Sequence, residues 1–147
     1  MKMFRYAAIV AAPLAFALVN PLGAQNNPMV GGDFVEVSSV TIDDGHAGDY
    51  AKFLADTWRK RQEFAKKQGW ITGYEVMGNV NPRPGEPNLI LVVRMPSLPT
   101  GAEGEKRGAA MRDFFKQTDS QMDAASAERA KYRHVIGSTL WQVMNFK

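Results

Sequence analysis

The stretch Asn88-Leu89-Ile90-Leu91-Val92-Val93-Arg94-Met95 decides the fold of this chain. Its large apolar residues run almost unbroken, with a single charged residue before the last of them. A strand with water on one face alternates apolar and polar side chains, so an unbroken run indicates a strand that is covered on both faces. Prolines on each side leave the run too short for a helix. We therefore predict a central strand over Leu89–Met95.

Turn signals and apolar spacing indicate further elements on both sides of this strand. β-branched residues predict a first strand from Asp33 to Ile42. Apolar residues at helical spacing predict a first helix from about His46 to Gln68. The other predicted elements are a second strand, a second helix with a break near its middle, and a last strand, over 70–80, 102–134 and 138–146 respectively.

This order of elements, βαββαβ, predicts an α+β fold of the ferredoxin-like type. Right-handed crossovers then give a four-stranded antiparallel sheet with the two helices on one face. The strand order 4-1-3-2 places Leu89–Met95 inside the sheet, as its apolar composition requires. The helices cover only one face, so a single copy would leave a second apolar face in water. We expect a homodimer in which sheet packs on sheet about a two-fold axis.

The N-terminal residues have the layout of a secretory signal peptide. Lys2 and Arg5 precede an apolar run, Tyr6 to Val19, which is too short to span a bilayer, and Ala24 offers a small residue for cleavage. An uncleaved membrane anchor is the alternative. We predict a signal peptide over 1–24, a flexible lead over 25–32 and one domain over 33–147. The mature protein is then periplasmic or secreted and has no membrane partner.

Composition excludes several classes of function. Without Lys2 and Arg5, 16 basic residues face 15 acidic ones, a formal charge of +1, so no basic nucleic-acid surface and no nucleic-acid partner is expected. Cysteine is absent, which excludes disulfides, thiolate catalysis and cysteine metal sites. No nucleophile elbow or glycine-rich phosphate loop is present.

Two segments resemble the dimeric α/β barrel superfamily, which includes the antibiotic-biosynthesis monooxygenases and the stress-responsive barrel proteins. They are DDGHAGDYAKFLADTWRKRQEF (43–64), which enters the first helix, and IGSTLWQVMNF (136–146) near the end. With the order of elements, the resemblance covers Asp33 to Lys147. The superfamily includes monooxygenases, isomerases, haem enzymes and members with no known activity, so the resemblance implies a fold and not a chemistry.

Arg61 is the main candidate for binding a small molecule. On a regular helix it falls near the centre of the apolar stripe, where a guanidinium needs a partner or a pocket. We expect it to meet an anionic group between the helices and the sheet. The residues expected to supply apolar or stacking surface there are Trp58, Tyr74 and Trp141. In the alternative, Arg61 reaches solvent or pairs with Glu75 or Glu128.

The predicted topology also gathers several polar residues at one end of the sheet. They are His46, His134, Asp43, Asp44 and Arg83. Two histidines beside carboxylates could bind a metal or shuttle protons. The alternative is that they are ordinary turn and helix-end residues. Because no His-x-x-x-His spacing is present, no metal is predicted.

Four functions remain open. The first is a dimeric protein that binds a small apolar or anionic molecule. The alternative enzyme is a cofactor-independent monooxygenase or isomerase, with His46, Tyr74 or His134 as its activating group. A haem protein would use His134 or His46 as the axial ligand, although no cofactor is assigned. The last is a dimer with a structural or protein-binding role. We favour the first.

Overall fold

The computed structural model describes residues 27–147. The predicted signal peptide and its cleavage point lie outside these residues. The strands are β1 (Met29–Ile42), β2 (Gly73–Gly78), β3 (Leu89–Met95) and β4 (Arg133–Phe146). The helices are α1 (Ala47–Phe53), a π-helical segment (Leu54–Trp58), α2 (Arg59–Lys67), α3 (Gly101–Phe115) and α4 (Asp119–Ala130).

The four strands form one antiparallel sheet in the order β2-β3-β1-β4. This is the predicted order 4-1-3-2, and β3 lies inside the sheet with the predicted bounds. The core joins Val40 and Leu91 of the sheet to Tyr50 of α1. Around them pack side chains of the helix layer and neighbouring sheet positions. The α+β, ferredoxin-like prediction is confirmed.

Strand β1 begins earlier than predicted, at Met29 instead of Asp33. Met29 pairs with Phe146, so part of the predicted flexible lead is a paired strand. The side-chain ends of Gln142 and Asn145 lie close to Gly31 and Gly32, in the space that a Cβ on either glycine would take. The predicted strand start is four residues too late, because glycine and proline in 27–32 are typical of turns and here belong to, or directly precede, a paired strand.

The first helix runs as predicted, but its middle turn is a π-helix. A π turn uses one more residue than an α turn, so the side chains that follow are rotated about the axis. Gln62 and Ala65 are therefore buried, and Arg61 is exposed. Gly69, at φ +72°, ends the helix as predicted.

Strand β2 is shorter than the predicted range 70–80. The amide of Trp70 donates to the carbonyl of Ala65 at the helix end, which keeps that residue out of the sheet. The Trp70 ring packs edge-on against Phe64, with their centroids 5.5 Å apart. Regular pairing starts only at Gly73, opposite Arg94.

The second helix breaks where expected, and it ends earlier than expected. Lys116, at φ 53°, closes α3, and Thr118 with Gln121 forms a capping box that starts α4. The predicted end at His134 is wrong, because α4 ends at Ala130 and His134 lies in β4. A bulge in β4 lets it pair with the last residues of β1.

The sheet has a second face that no described helix covers. Val40 points toward the helices, so Val35 and Val37 point away from them, as do their cross-strand neighbours Trp141 and Val92. Strand β4 is also an edge strand, and most of its residues are exposed. Its exposed large apolar residues are Val135, Ile136, Leu140, Trp141, Val143, Met144 and Phe146.

Candidate functional site

Two of the predicted binding residues, Trp58 and Tyr74, are in contact. Their rings meet edge to face with centroids 5.3 Å apart. The Tyr74 hydroxyl donates a hydrogen bond to the Glu63 carboxylate. That carboxylate favours the protonated phenol, so it raises the pKa of Tyr74. The raised pKa keeps the Tyr74 phenol protonated and makes it a weaker acid, and its proton is already shared with Glu63, so in this state Tyr74 is suited neither to transfer a proton nor to act as a phenolate base.

Arg61 does not reach the layer between the first helix and the sheet. Its guanidinium donates to the Met122 sulfur at 3.7 Å and lies 5.9 Å from the ring centroid of Phe115. It therefore faces α3 and α4, because of the π-helical turn before it. Among residues 27–147 the expected alternative partners are engaged elsewhere, Glu75 with Arg94 and Glu128 with Lys131.

Trp141 lies on the open face of the sheet, opposite Val35. Its side chain is 62% exposed, and its indole N–H donates to the Thr139 hydroxyl at 3.1 Å. It thus shares no surface with Trp58 or Tyr74. The four predicted residues do not converge on one pocket.

A concave surface in the described part of the chain forms a groove between α2 and the end of α3. It is lined by Arg59, Lys60, Glu63, Phe64, Lys67, Gln68 and Phe114, and its volume is about 750 Å³. Phe64 and Phe114 stack with centroids 4.3 Å apart and an interplanar angle of 21°. This volume is in the range of small-molecule sites. Glu63 links the groove to the Tyr74–Trp58 pair.

Charge in this groove is predominantly positive. Arg59, Lys60 and Lys67 contribute three cations, and Glu63 contributes one carboxylate. That carboxylate already accepts the Tyr74 hydroxyl. A ligand with an apolar aromatic body and an acidic group would match both the stacked rings and the cations.

The two histidines lie at the predicted end of the sheet and have separate partners. His134 Nε2 is 3.0 Å from Asp43 Oδ1. His46 stacks on Tyr132 with ring centroids 4.9 Å apart, and its Nδ1 is 3.1 Å from Asp49 Oδ2. Each histidine therefore has a carboxylate within hydrogen-bond distance, and the two carboxylates are different.

The remaining residues of this rim are also at the predicted end. The side chain of Asn88 accepts from the backbone N–H of Ile42 at 2.7 Å, which ties the β2–β3 connection to the end of β1. Arg83 pairs with Glu86 within that connection, and Asp44 lies in the turn after β1. Within the described part of the chain, no three His, Asp or Glu residues are arranged to hold a metal ion.

A second cluster, which the sequence reasoning missed, surrounds Tyr50. Its ring is fully buried, and Arg133 is the neighbour that acts on its hydroxyl by both charge and hydrogen bonding. Arg133, on β4 opposite Ile42, and Arg129, in the last turn of α4, lie beside it. The Arg129 guanidinium carbon is 4.0 Å from the ring centroid of Phe53. The Nε atoms of both arginines are buried and unpartnered within residues 27–147.

The electrostatics of this cluster are unusual. Burial raises the pKa of Tyr50, and Arg133 and Arg129 oppose that rise. Burial also lowers the pKa of Arg129, and the nearby charges of Arg133 and Arg61 act in the same direction. No carboxylate forms an ion pair with any of the three arginines in the part of the chain that the structure describes.

One signal in the sequence could have found this cluster. Positions 111, 115, 118, 122, 125, 129 and 132 recur at a spacing of four and three, and Arg129 occupies one of them. A guanidinium on the inward seam of a helix needs an acceptor. Tyr50 gives no such signal, because a tyrosine on the apolar stripe of a helix is usually an ordinary core residue.

Helices in the described range 27–147 lack the combination of length and hydropathy needed to cross a membrane. This finding concerns only those residues.

No protein-family model and no curated protein matches the chain. Among solved structures, HapK from Hahella chejuensis is 6% identical, covers 74% of this chain and 90% of its own, and has a TM-score of 0.47. A dimeric ferredoxin-like protein of unknown function from Thermobifida fusca is 13% identical, with coverages of 77% and 91% and a TM-score of 0.43. The ferredoxin-like assignment rests on the strand order of this chain itself.

Proposed function

We propose that this protein is an exported homodimer that binds a small anionic molecule with an aromatic or apolar body. The observation that carries this proposal is the groove between α2 and α3. It combines the stacked rings of Phe64 and Phe114 with three cations, Arg59, Lys60 and Lys67. This ligand class follows the expectation from sequence, while the site is between two helices and not between helices and sheet.

Exposure to solvent and salt limits the electrostatic part of this binding. The three basic side chains are exposed, so salt screens their attraction for an anion. The stacked rings supply the apolar contact, which salt does not weaken. We therefore expect moderate affinity that falls with ionic strength and retains an apolar component.

The homodimer is proposed from the uncovered sheet face. Trp141 on β4 is 62% exposed, and Met77 on β2 is 46% exposed. A second copy that packs its sheet on this face would remove such residues from water. The groove lies in the helix layer, away from the open face, so dimerisation leaves it accessible. Export is proposed from the N-terminal pattern of charged, apolar and small residues.

A titration with anilinonaphthalene sulfonate, a fluorescent aromatic anion, tests the groove. Lys60→Glu should weaken binding by roughly threefold to tenfold, because it reverses one charge beside the rings. Lys52→Glu is the matched control, since Lys52 is also exposed on the first helix and does not line the groove. Equal affinity in both variants would contradict the proposal.

A second pair of variants tests the aromatic component. Phe114→Ser should weaken binding by roughly tenfold or more, because a large apolar contact is lost. Leu98→Ser is its control, since Leu98 and Phe114 are 44% and 45% exposed and Leu98 lies outside the groove. If both variants lose affinity equally, the dye binds elsewhere.

A further inference from the structure

A further pocket lies where α2 faces α3 and the start of α4. Its volume is about 310 Å³, and it shares no lining residue with the groove described above. Arg61 of α2 and Arg107 and Arg112 of α3 line it, together with the Asp119 carboxylate at the start of α4. Three cations and one carboxylate give the charged residues of this pocket a net charge of +2.

Two of the three arginines are held in place beside the pocket. The Arg107 side chain is 17% exposed, and its Nε donates to Glu103 Oε1 at 2.9 Å. Its guanidinium carbon also lies 5.5 Å from the ring centroid of Trp70. Arg112 Nη1 donates to Asp119 Oδ1 at 3.2 Å. Side chains that are already fixed lose little conformational freedom when they bind an anion.

Arg61 is the third cation, and its contacts leave most of its N–H groups for a ligand. Its guanidinium donates to the Met122 sulfur at 3.7 Å, and a thioether sulfur is a weak acceptor. No carboxylate within residues 27–147 forms an ion pair with it. An anion in the pocket would therefore supply the strong acceptor that Met122 is not.

Charge and volume determine the class of that anion. A phosphate monoester carries a charge of about −1.5 to −2 at pH 7 and has three strong acceptor oxygens, which match a net charge of +2 and three guanidinium groups. A carboxylate carries a single charge. The pocket also has apolar walls, from Trp70, Met111 and Met122, and a volume several times the roughly 30 Å³ of a water molecule. It can therefore hold an apolar body beside the anionic group.

We propose that Arg61, Arg107 and Arg112 bind the phosphate group of a small phosphate monoester, whose apolar body packs against Trp70. This site goes beyond the function proposed for the groove, and it does not depend on that function.

An NMR titration of the full purified chain with n-butyl phosphate tests this proposal. The indole N–H of Trp70 reports on the pocket, because Trp58 and Trp141 do not line it. We expect a saturable shift of the Trp70 signal, with tighter binding than for inorganic phosphate or pentanoate at equal ionic strength. Equal affinity for pentanoate would overturn the phosphate assignment, and equal affinity for inorganic phosphate would overturn the monoester assignment. A Trp70 signal that does not respond would overturn the site.

A charge-removing variant tests the role of Arg61. Arg61→Gln should weaken n-butyl phosphate binding by roughly tenfold, because it removes a charge-assisted hydrogen bond. Arg61 is exposed, so the substitution leaves the core intact. Lys66→Gln is the matched control, since Lys66 is an exposed cation on the same helix and lies outside the pocket and the groove. Equal loss of affinity in both variants would contradict the proposed site.

A second variant should change the affinity in the opposite direction. Asp119→Asn removes the carboxylate that competes for Arg112, so it should strengthen n-butyl phosphate binding by roughly threefold. Asp123→Asn, at an exposed position of α4 that does not line the pocket, should leave the affinity unchanged. Weaker binding by Asp119→Asn would show that the phosphate does not contact Arg112 and would overturn the three-arginine site.

The pocket and the groove can fail separately. Phe114→Ser, which alters the groove, should leave n-butyl phosphate binding unchanged. Arg61→Gln should leave dye binding in the groove unchanged. If Arg61→Gln weakens both ligands equally, the dye and the phosphate share one site and the separate pocket is wrong.

Discussion

His134 and Asp43 meet at 3.0 Å although they are 91 positions apart in the sequence. A backbone hydrogen bond of 2.9 Å from Asp43 to Tyr132 runs beside this contact. Together they fasten the start of β4 to the turn after β1. The pair therefore joins two elements at the end of the sheet where the sequence predicts that the polar residues gather.

His134→Ala should cost less than about 1 kcal/mol of unfolding free energy, because both side chains of the pair are half exposed. Urea denaturation measures this, with His46→Ala as the control for loss of an exposed imidazole. A loss above about 2 kcal/mol would show that the pair has a greater structural role than an exposed contact can have.

Alkaline pH should destabilise the fold through Tyr50. An unfolded tyrosine releases its proton near pH 10, roughly, whereas burial raises the pKa of Tyr50 in the folded chain. The unfolded chain thus binds fewer protons above that pH, so the contribution to stability is present below it and is lost as pH rises toward the folded pKa. Tyr50→Phe should reduce the loss.

Ultraviolet absorbance of tyrosinate checks this prediction, together with unfolding curves at several alkaline pH values. Tyr74→Phe is an informative comparison, because the Glu63 hydrogen bond raises the pKa of Tyr74 by a different cause. If Tyr50→Phe leaves both the late-titrating absorbance and the alkaline loss of stability unchanged, burial does not control this phenol.

Trp141→Glu should convert the proposed dimer to a monomer, because it places a charge among the apolar residues of the open sheet face. Sedimentation velocity at several concentrations measures the change. Leu98→Glu is the control, since Leu98 lies in a loop and not on the sheet. A wild-type protein that is monomeric at all concentrations would contradict the proposed assembly.

Thr118→Ala should lower the unfolding free energy by about 1 kcal/mol, because it removes the side chain that caps α4. Thermal unfolding followed by circular dichroism measures this. Gln117→Ala, one position earlier and outside the capping box, should have a smaller effect. Equal effects would mean that the cap does not hold the start of the helix.

The fold could be predicted because its signals are local. The apolar run of β3, the turn residues around it and the spacing of the first helix each determine one element. Strand order then follows from crossover handedness and from the need to bury β3 on both faces. The start of β2 was missed because the Trp70 amide bonds to the helix end at Ala65, and the start of β4 was missed because its pairing with β1 joins residues that are distant in sequence.

The candidate site could be predicted only in part, and Arg61 shows why. Its position was derived from a regular helix, but the π-helical segment at Leu54–Trp58 rotates it toward α3 and α4. No residue in that segment signals a π turn. The groove depends on the stacking of Phe64 on Phe114, which are fifty positions apart and whose contact only packing determines.

The most direct test of the proposed function is to locate the bound aromatic anion by intermolecular nuclear Overhauser effects. Anilinonaphthalene sulfonate would be added to the full chain with labelled aromatic side chains. We predict effects between the naphthalene ring and the rings of Phe64 and Phe114, and none to Trp141. Overhauser effects between the naphthalene ring and Trp141, without any to Phe114, would place the ligand on the open sheet face. That result would contradict the groove as the binding site.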